Sequence, residues 1–358
     1  MKTILLNPGP VTLSDGVRNA LLGPDLCHRE IEFVDLQDGL RRKLLAVYGL
    51  DPAAWAAVLL TGSGTAAVEA MLTSLVPQGG RILIAENGVY GERMSRMAET
   101  YGMDCTRITG RWDSAIDLEA IAAALACEKY SHVAVVHHET TTGRLNDLAP
   151  LAALCRRHEA RLLVDGVSSF GAEDLDFGAL GLDACAATAN KCLHGVPGTA
   201  FVVVRRGALT ATACARSVYL DLREYLQRQD AHGTPFTQSV QAFYALDAAL
   251  DEFFAAGGRV ARQRLFRARM GAVRNVLQDL GVTPLLPTAD CSCVLHAFEL
   301  PAELSYAELH DRLKAGGFII YAGQGALSER VFRISAMGAI SNDDLARLCA
   351  TLRDALKP

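Results

Sequence analysis

Ala57-Val58-Leu59-Leu60 runs directly into Thr61-Gly62-Ser63-Gly64-Thr65, and a helix-like stretch from Ala66 to Val76 follows. An apolar strand, a glycine turn and a helix make the first half of a strand–helix–strand unit. Pro77 and Gly79-Gly80 stop that helix. The alternation continues outward from there. Arg81 to Ala85 reads as a strand and Gly91 to Tyr101 as a helix. The strand Val133 to Val136 leads into Glu139-Thr140-Thr141-Thr142-Gly143, and a helix from Leu148 to His158 precedes the strand Arg161 to Val164. Ala184 to Thr188 and Ala200 to Val204 add two more strands. Continuous apolar strands separated by helices predict an α/β fold with a parallel sheet covered on both faces.

On the amino-terminal side, Leu36 to Tyr48 has helical apolar spacing. Residues 1–20 read as an extended arm, because Pro8 and Pro10 flank Gly9. After Thr237 the pattern changes. Residues 238–280, rich in Ala, Leu and Arg, read as one or two long helices broken near Gly257-Gly258. From Cys291 a smaller α/β unit follows, with strands near 293–298, 317–321 and 330–335 and helices near 304–315 and 341–356. A chain of 358 residues is long enough for about two such domains.

Half of the residues are apolar and 21% are charged, which rules out disorder as the main state. The 35 cations against 40 anions leave a net charge of −5. That argues against a general nucleic-acid or polyanion binder. No run approaches the roughly 20 apolar residues of a membrane span. Met1-Lys2-Thr3-Ile4-Leu5-Leu6 meets Asn-Pro-Gly-Pro too early for a signal-peptide apolar region, so a cytoplasmic location is expected. The ten cysteines contain no C-x-x-C pair and read mostly as small buried apolar residues. The nine histidines contain no H-E-x-x-H, and adjacent His137 and His138 diverge, so no metal site is expected.

Three places can carry chemistry. Thr61-Gly62-Ser63-Gly64-Thr65 lies at a helix start, where free N–H groups and hydroxyls can cup a phosphate; the same residues also make an ordinary capped turn. Asp165 ends an apolar strand, where ligands of open α/β sheets sit, or it merely organises the turn Gly166-Val167-Ser168-Ser169. The third is Lys191. Only six of the cations are lysines: Lys2, Lys43, Lys129, Lys191, Lys314 and Lys357. Lys2 and Lys357 are near the ends, Lys43 and Lys314 belong to helices, and Lys129 lies in a polar stretch. Lys191 alone lies among small residues and glycines, in Ala189-Asn190-Lys191-Cys192-Leu193-His194-Gly195. It is either an exposed loop lysine or a desolvated amine ready for Schiff-base chemistry. A phosphate cup, an acid at a strand end and a later lysine are together what pyridoxal phosphate needs.

With these motifs the sequence resembles the class V aminotransferases of the pyridoxal-phosphate fold type I, which are similar to aspartate aminotransferase. The resemblance covers nearly the whole chain. It rests on Asn7-Pro8-Gly9-Pro10-Val11-Thr12, Gly62 to Ala70, Asn87-Gly88-Val89-Tyr90-Gly91-Glu92-Arg93-Met94 and His138 to Gly143. It continues through Val164 to Gly171, Asn190 to Gly198 and Phe332-Arg333-Ile334-Ser335. The implied architecture is a large, mostly parallel sheet domain and a smaller carboxyl-terminal α/β domain. The implied division is an arm at 1–20 that joins the active site, a cofactor domain at 21–255 and a small domain at 256–358.

By the resemblance, Lys191 is the Schiff-base lysine and Asp165 the partner of the pyridine nitrogen. Ser63, Gly64 and Thr65 hold the phosphate. Tyr90 stacks on the cofactor ring or simply packs. Thr142 lies near the ring's 3′-oxygen. Thr237, in Pro235-Phe236-Thr237, reaches the phosphate of a neighbouring subunit, which implies a homodimer. Arg333 binds the acidic end of the substrate through its planar fork, or else makes a structural ion pair. Pro8 and Gly9 join the substrate site. Cys27-His28-Arg29-Glu30 departs from the pattern expected after the arm. His28 and Arg29 supply a second cation, mark a different amino donor, or form a charged surface turn. Within the class, the motifs are most similar to enzymes that move the amino group of 2-aminoethylphosphonate to pyruvate, giving phosphonoacetaldehyde and L-alanine. The alternatives are an alanine/serine–glyoxylate or other aminophosphonate transaminase, and, in a different class, a phosphate-binding α/β protein without lysine chemistry.

Overall fold

The computed structural model describes residues 2–210 and 216–357. Its centre is a seven-stranded sheet. In spatial order the strands are Trp55–Gly62, Gly198–Arg205, Leu182–Thr188, Arg161–Asp165, His132–Val136, Arg81–Glu86 and Asp104–Thr109. Successive side chains on each strand point to opposite faces, and both faces are apolar. Ala57, Leu59, Leu83, Val133 and Phe201 pack under the helices Ile31–Ala46, Leu118–Cys127, Leu148–Arg157 and Val240–Ala255. Val58, Leu60, Ile82, Ile84 and Val202 pack under Gly64–Leu75, Val89–Thr100 and Leu222–Asp230.

The sheet is covered on both faces, as its apolar strands predict, but one strand is reversed. Gly198–Arg205 runs antiparallel to both of its neighbours. The connection that precedes it, residues 189–197, contains no helix. A parallel return needs a crossover of roughly a dozen residues or more, so this short link turns the chain back. Asp104–Thr109 also escapes an apolar-run reading, because it is an edge strand with mostly partly exposed, polar residues. At the opposite edge, Gln229 accepts from Leu59 N–H (3.2 Å) and donates to its carbonyl (2.8 Å), blunting an otherwise open strand.

Residues 1–20 are not wholly extended. Ile4–Leu5 is a short strand pairing in parallel with Phe318–Ile319, but Asp15–Ala20 is a helix. The two prolines restrict only the first half of the arm, and Ser14 caps the helix by accepting from Val17 N–H at 3.1 Å. The expected break near Gly257 is present. Val240–Ala255 ends there, Gly257 adopts φ +97°, and Gly258–Asp279 begins. Beyond it, Leu295–Glu299, Val331–Ser335 and Tyr321–Ala322 form an antiparallel sheet with Val331–Ser335 in the middle. Its core joins Phe266, Phe298, Phe332 and Leu348 to Ile4, Leu6 and Val11 of the arm.

Buried polar contacts tie the two sheets together. Glu173 accepts from Ser292 Oγ (2.6 Å) and Cys293 N–H (2.7 Å), and Arg262 donates to the Cys192 carbonyl (2.9 Å). The cysteines are less uniformly internal than expected: four of the nine described are buried, while Cys27 and Cys127 are exposed. Cys27 lies in a turn and Cys127 at a helix end, both beyond the reach of either core. Among the described residues, no helix is long and apolar enough to cross a membrane.

Candidate active site

The carboxyl ends of the parallel strands open on one side of the sheet, and the candidate residues collect there. The helix Gly64–Leu75 starts at this edge directly after Gly62. Its N-cap, Ser63, is exposed and makes no side-chain capping bond. Ser63 Oγ and the N–H groups of Gly64 and Thr65 therefore have no intrahelical partner, which is what an anion cup requires. Gly64 itself is buried against Val167: a Cβ there would sit 2.8 Å from Val167 Cγ1.

Asp165 ends its strand beside Val136 and Ala186 and is buried. One carboxylate oxygen accepts from Val167 N–H at 2.9 Å, so the turn-organising role is real. The residue also lines a cavity together with Gly64, Thr65, Val68, Tyr90, Arg93 and Val167. Burial pushes the Asp165 carboxyl up to about 6, against the pull of Val167 N–H, Lys191 and Arg93.

Lys191 is not an exposed loop lysine. It is half-buried, its ammonium donates to the Pro8 carbonyl, and its aliphatic stem packs on Gly9. Gly9 has φ +115°, and a Cβ there would lie 2.6 Å from Lys191 Cδ. The arm thus closes over the lysine only because that position is glycine. Burial lowers the amine to about 8; the fields of Arg333 and Arg93 push the same way, while Asp165 opposes them.

Tyr90 opens the helix Val89–Thr100, whose start is held by the buried loop His138 to Gly143. Thr141 Oγ1 accepts from Val89 N–H (3.0 Å) and Glu139 from Gly91 N–H (3.3 Å). Burial pushes the Glu139 carboxyl up to about 7. Within this loop, Thr142 Oγ1, Thr140 Oγ1 and His138 Nε2 are buried with no hydrogen-bond partner. Three orphaned polar atoms in one loop are costly unless something else fills the space beside them.

Arg333 is 3% exposed. It makes no ion pair with any described carboxylate, so the structural ion pair foreseen as its alternative is absent. Its Nε donates to the Ala322 carbonyl (2.8 Å), and its Nη1 to the Thr140 carbonyl (2.8 Å) and Gln324 Oε1 (3.2 Å). Nη2 has no protein acceptor among the described residues. The fork anticipated for anion binding is therefore largely occupied, and the free end is Nη2.

Three candidates stand apart from this cluster within the chain. Thr237 is exposed, on a segment anchored to Thr61 through Gln238 and Ser239 (both 2.9 Å). His28 is half-buried and Arg29 exposed, in a turn that does not line the cavity. Conversely, sequence reasoning assigned no role to Arg93, which lines the cavity one helical turn after Tyr90. The i, i+3 spacing from an already suspected ring was the available signal.

The class-V aminotransferase family matches residues 26–345. A 2-aminoethylphosphonate–pyruvate transaminase of Aeromonas hydrophila is 39% identical, over 94% of this chain and 91% of its own. The enzyme of that name from Vibrio cholerae is 35% identical, over 99% and 97%. The crystal structure of an alanine–glyoxylate aminotransferase from Nostoc sp. superposes with a TM-score of 0.92 at 25% identity, covering 100% of this chain and 96% of that one. The large mostly parallel sheet with its smaller carboxyl-terminal unit is the type I aminotransferase architecture, and the chain belongs to the class-V aminotransferase family.

Proposed function

We propose that this aminotransferase moves the amino group of 2-aminoethylphosphonate to pyruvate, with pyridoxal 5′-phosphate as cofactor, giving phosphonoacetaldehyde and L-alanine. The observation that carries the reading is Arg333: a buried arginine that makes no ion pair with a described carboxylate and keeps Nη2 free. Such a group is costly to bury alone and calls for an anionic ligand. The names of the Aeromonas and Vibrio relatives, similar along nearly the whole chain, support a phosphonate donor.

The residues present fit the cofactor. Ser63, Gly64 and Thr65 would hold its phosphate, Asp165 its ring nitrogen and Tyr90 a ring face, and the orphaned Thr142 and Thr140 hydroxyls offer polar partners to its edge. When bound, pyridoxal phosphate supplies a carbonyl for amines to attach to and a ring that stabilises charge on the reacting carbon. The chain supplies the rest. Lys191 offers a neutral amine, which is released when a substrate amine takes its place. It then takes a proton from the CH₂ beside the substrate nitrogen and returns one on the far side of that nitrogen. Asp165 stays close enough to a proton-sharing pKa to keep a ring nitrogen protonated. Arg333 orients the acidic end of either substrate, and the Pro8–Gly9 arm keeps water from the amine. An amine-donor panel against pyruvate and glyoxylate tests the reading. Alanine formed from aminoethylphosphonate and pyruvate is expected. No product there, with serine or alanine reacting on glyoxylate, overturns it in favour of the alternative.

Cofactor uptake should depend on pH in a defined direction. An amine depressed to about 8 is neutral in about one molecule in ten at pH 7. Uptake of pyridoxal phosphate by the cofactor-free chain, followed by absorbance, is expected to rise about tenfold per unit below pH 8 and to level above it. A rate that keeps climbing towards pH 10 would show an unshifted lysine.

The reading includes a homodimer. Thr237 is exposed on a segment bound to the end of the strand that leads into Ser63, where a second subunit can meet it. Light scattering should give twice the chain mass, and a fully active monomer would refute this arrangement.

A further inference from the structure

We propose that Arg93 is the specificity-determining cation of the site: it supplies the second positive charge that lets the pocket prefer a dianionic phosphonate over a singly charged acid. This rests on the phosphonate reading above and adds a residue to it. Arg333 can offer only Nη2, because its other donors are held by Ala322, Thr140 and Gln324. One nitrogen suits a carboxylate but leaves most of a three-oxygen, doubly charged group unmatched.

Arg93 is placed to meet that need. It is half-buried and lines the cavity with Asp165 and Tyr90. Its guanidinium carbon lies 4.8 Å from the centroid of the Tyr90 ring. It has neither an ion pair nor a hydrogen bond among the described residues, unlike Arg107 on the neighbouring strand, which pairs with Glu86 and Glu99. Tyr90 also acts electrostatically on Arg333, second only to burial. Both guanidiniums act on the Lys191 amine. A phosphonate holds its second proton more tightly than a phosphate monoester, whose second pKa is about 6, because carbon withdraws less charge than the ester oxygen; its second charge is complete in mildly alkaline solution.

Ethylphosphonate and ethanesulfonate test this, because they share a tetrahedral head and differ in charge. Both are used as competitive inhibitors of the alanine half-reaction of the holoenzyme at about pH 9, where ethylphosphonate is the dianion and ethanesulfonate keeps its single charge. The energy between a fixed cation and a ligand scales with ligand charge, so the fold-loss on the dianion is about the square of that on the monoanion. Arg93→Gln is expected to weaken ethanesulfonate about threefold and ethylphosphonate about tenfold. Arg93→Lys should keep most of the preference. Equal losses for the two inhibitors overturn the proposal. So does a fall in pyridoxal-phosphate affinity with both inhibitors unchanged, which would put Arg93 on the cofactor. A failed donor panel with the charge-dependent loss intact would reject the phosphonate substrate while leaving the cation assigned.

Discussion

Replacing Lys191 with alanine is expected to lower turnover by at least about 10³- to 10⁴-fold, the contribution usual for a lost proton-transfer group, with the covalent attachment lost as well. Borohydride should fix pyridoxal phosphate to the wild-type chain at Lys191 and to no residue of the variant. Label retained by Lys191→Ala would mean that the amine is misassigned. Unfolding should not confuse the result. The side chain is held by one bond to the Pro8 carbonyl and by packing against Gly9, and burial disfavours its charge. Removing a disfavoured buried charge should leave the melting temperature unchanged or raised. Lys191→Arg should be as inactive as the alanine variant, because a guanidinium stays protonated and cannot serve as a nucleophile near neutral pH.

The lysine was legible in the sequence for a simple reason: five of six candidates sat in places that water would claim. Asp165 and the Ser63 turn were legible because a strand end and a helix start have directional chemistry whatever surrounds them. The alternation of apolar runs likewise foretold six of the seven central strands, the two long helices and the break at Gly257. What stayed hidden depends on neighbours that are remote in the chain. The reversed direction of Gly198–Arg205 follows from the link before it, and its apolar residues are compatible with either direction. Asp104–Thr109 reads as polar because only one of its flanks is paired. The constraint on Arg333 comes from Thr140, 193 positions away, and from Gln324. Motif position implied a free fork, whereas the fold engages Nε and Nη1 with the Ala322 and Thr140 carbonyls and the Gln324 side chain, which hold the arginine still.

That immobilisation sets the size of the second large effect. Arg333→Ala is expected to weaken both half-reactions by about 2–5 kcal/mol, roughly thirty-fold to several-thousand-fold in kcat/KM. The lower bound corresponds to losing one charge-assisted contact through Nη2. The upper bound applies because the site is buried: Arg333 is 3% exposed, so water cannot readily take its place beside the anion. Truncation also frees the Thr140 carbonyl, in the loop that holds the start of the Tyr90 helix, so part of the loss should appear in kcat. Arg333→Lys separates the two contributions. A lysine restores a point charge but cannot hold Ala322, Thr140 and Gln324 while facing a ligand, so it should recover binding only in part. Steady-state kinetics in both directions check this. If phosphonate and carboxylate substrates both lose affinity, one anion site serves the two halves of the reaction. If turnover is unchanged, the buried arginine is structural and the acidic end of the substrate is held elsewhere.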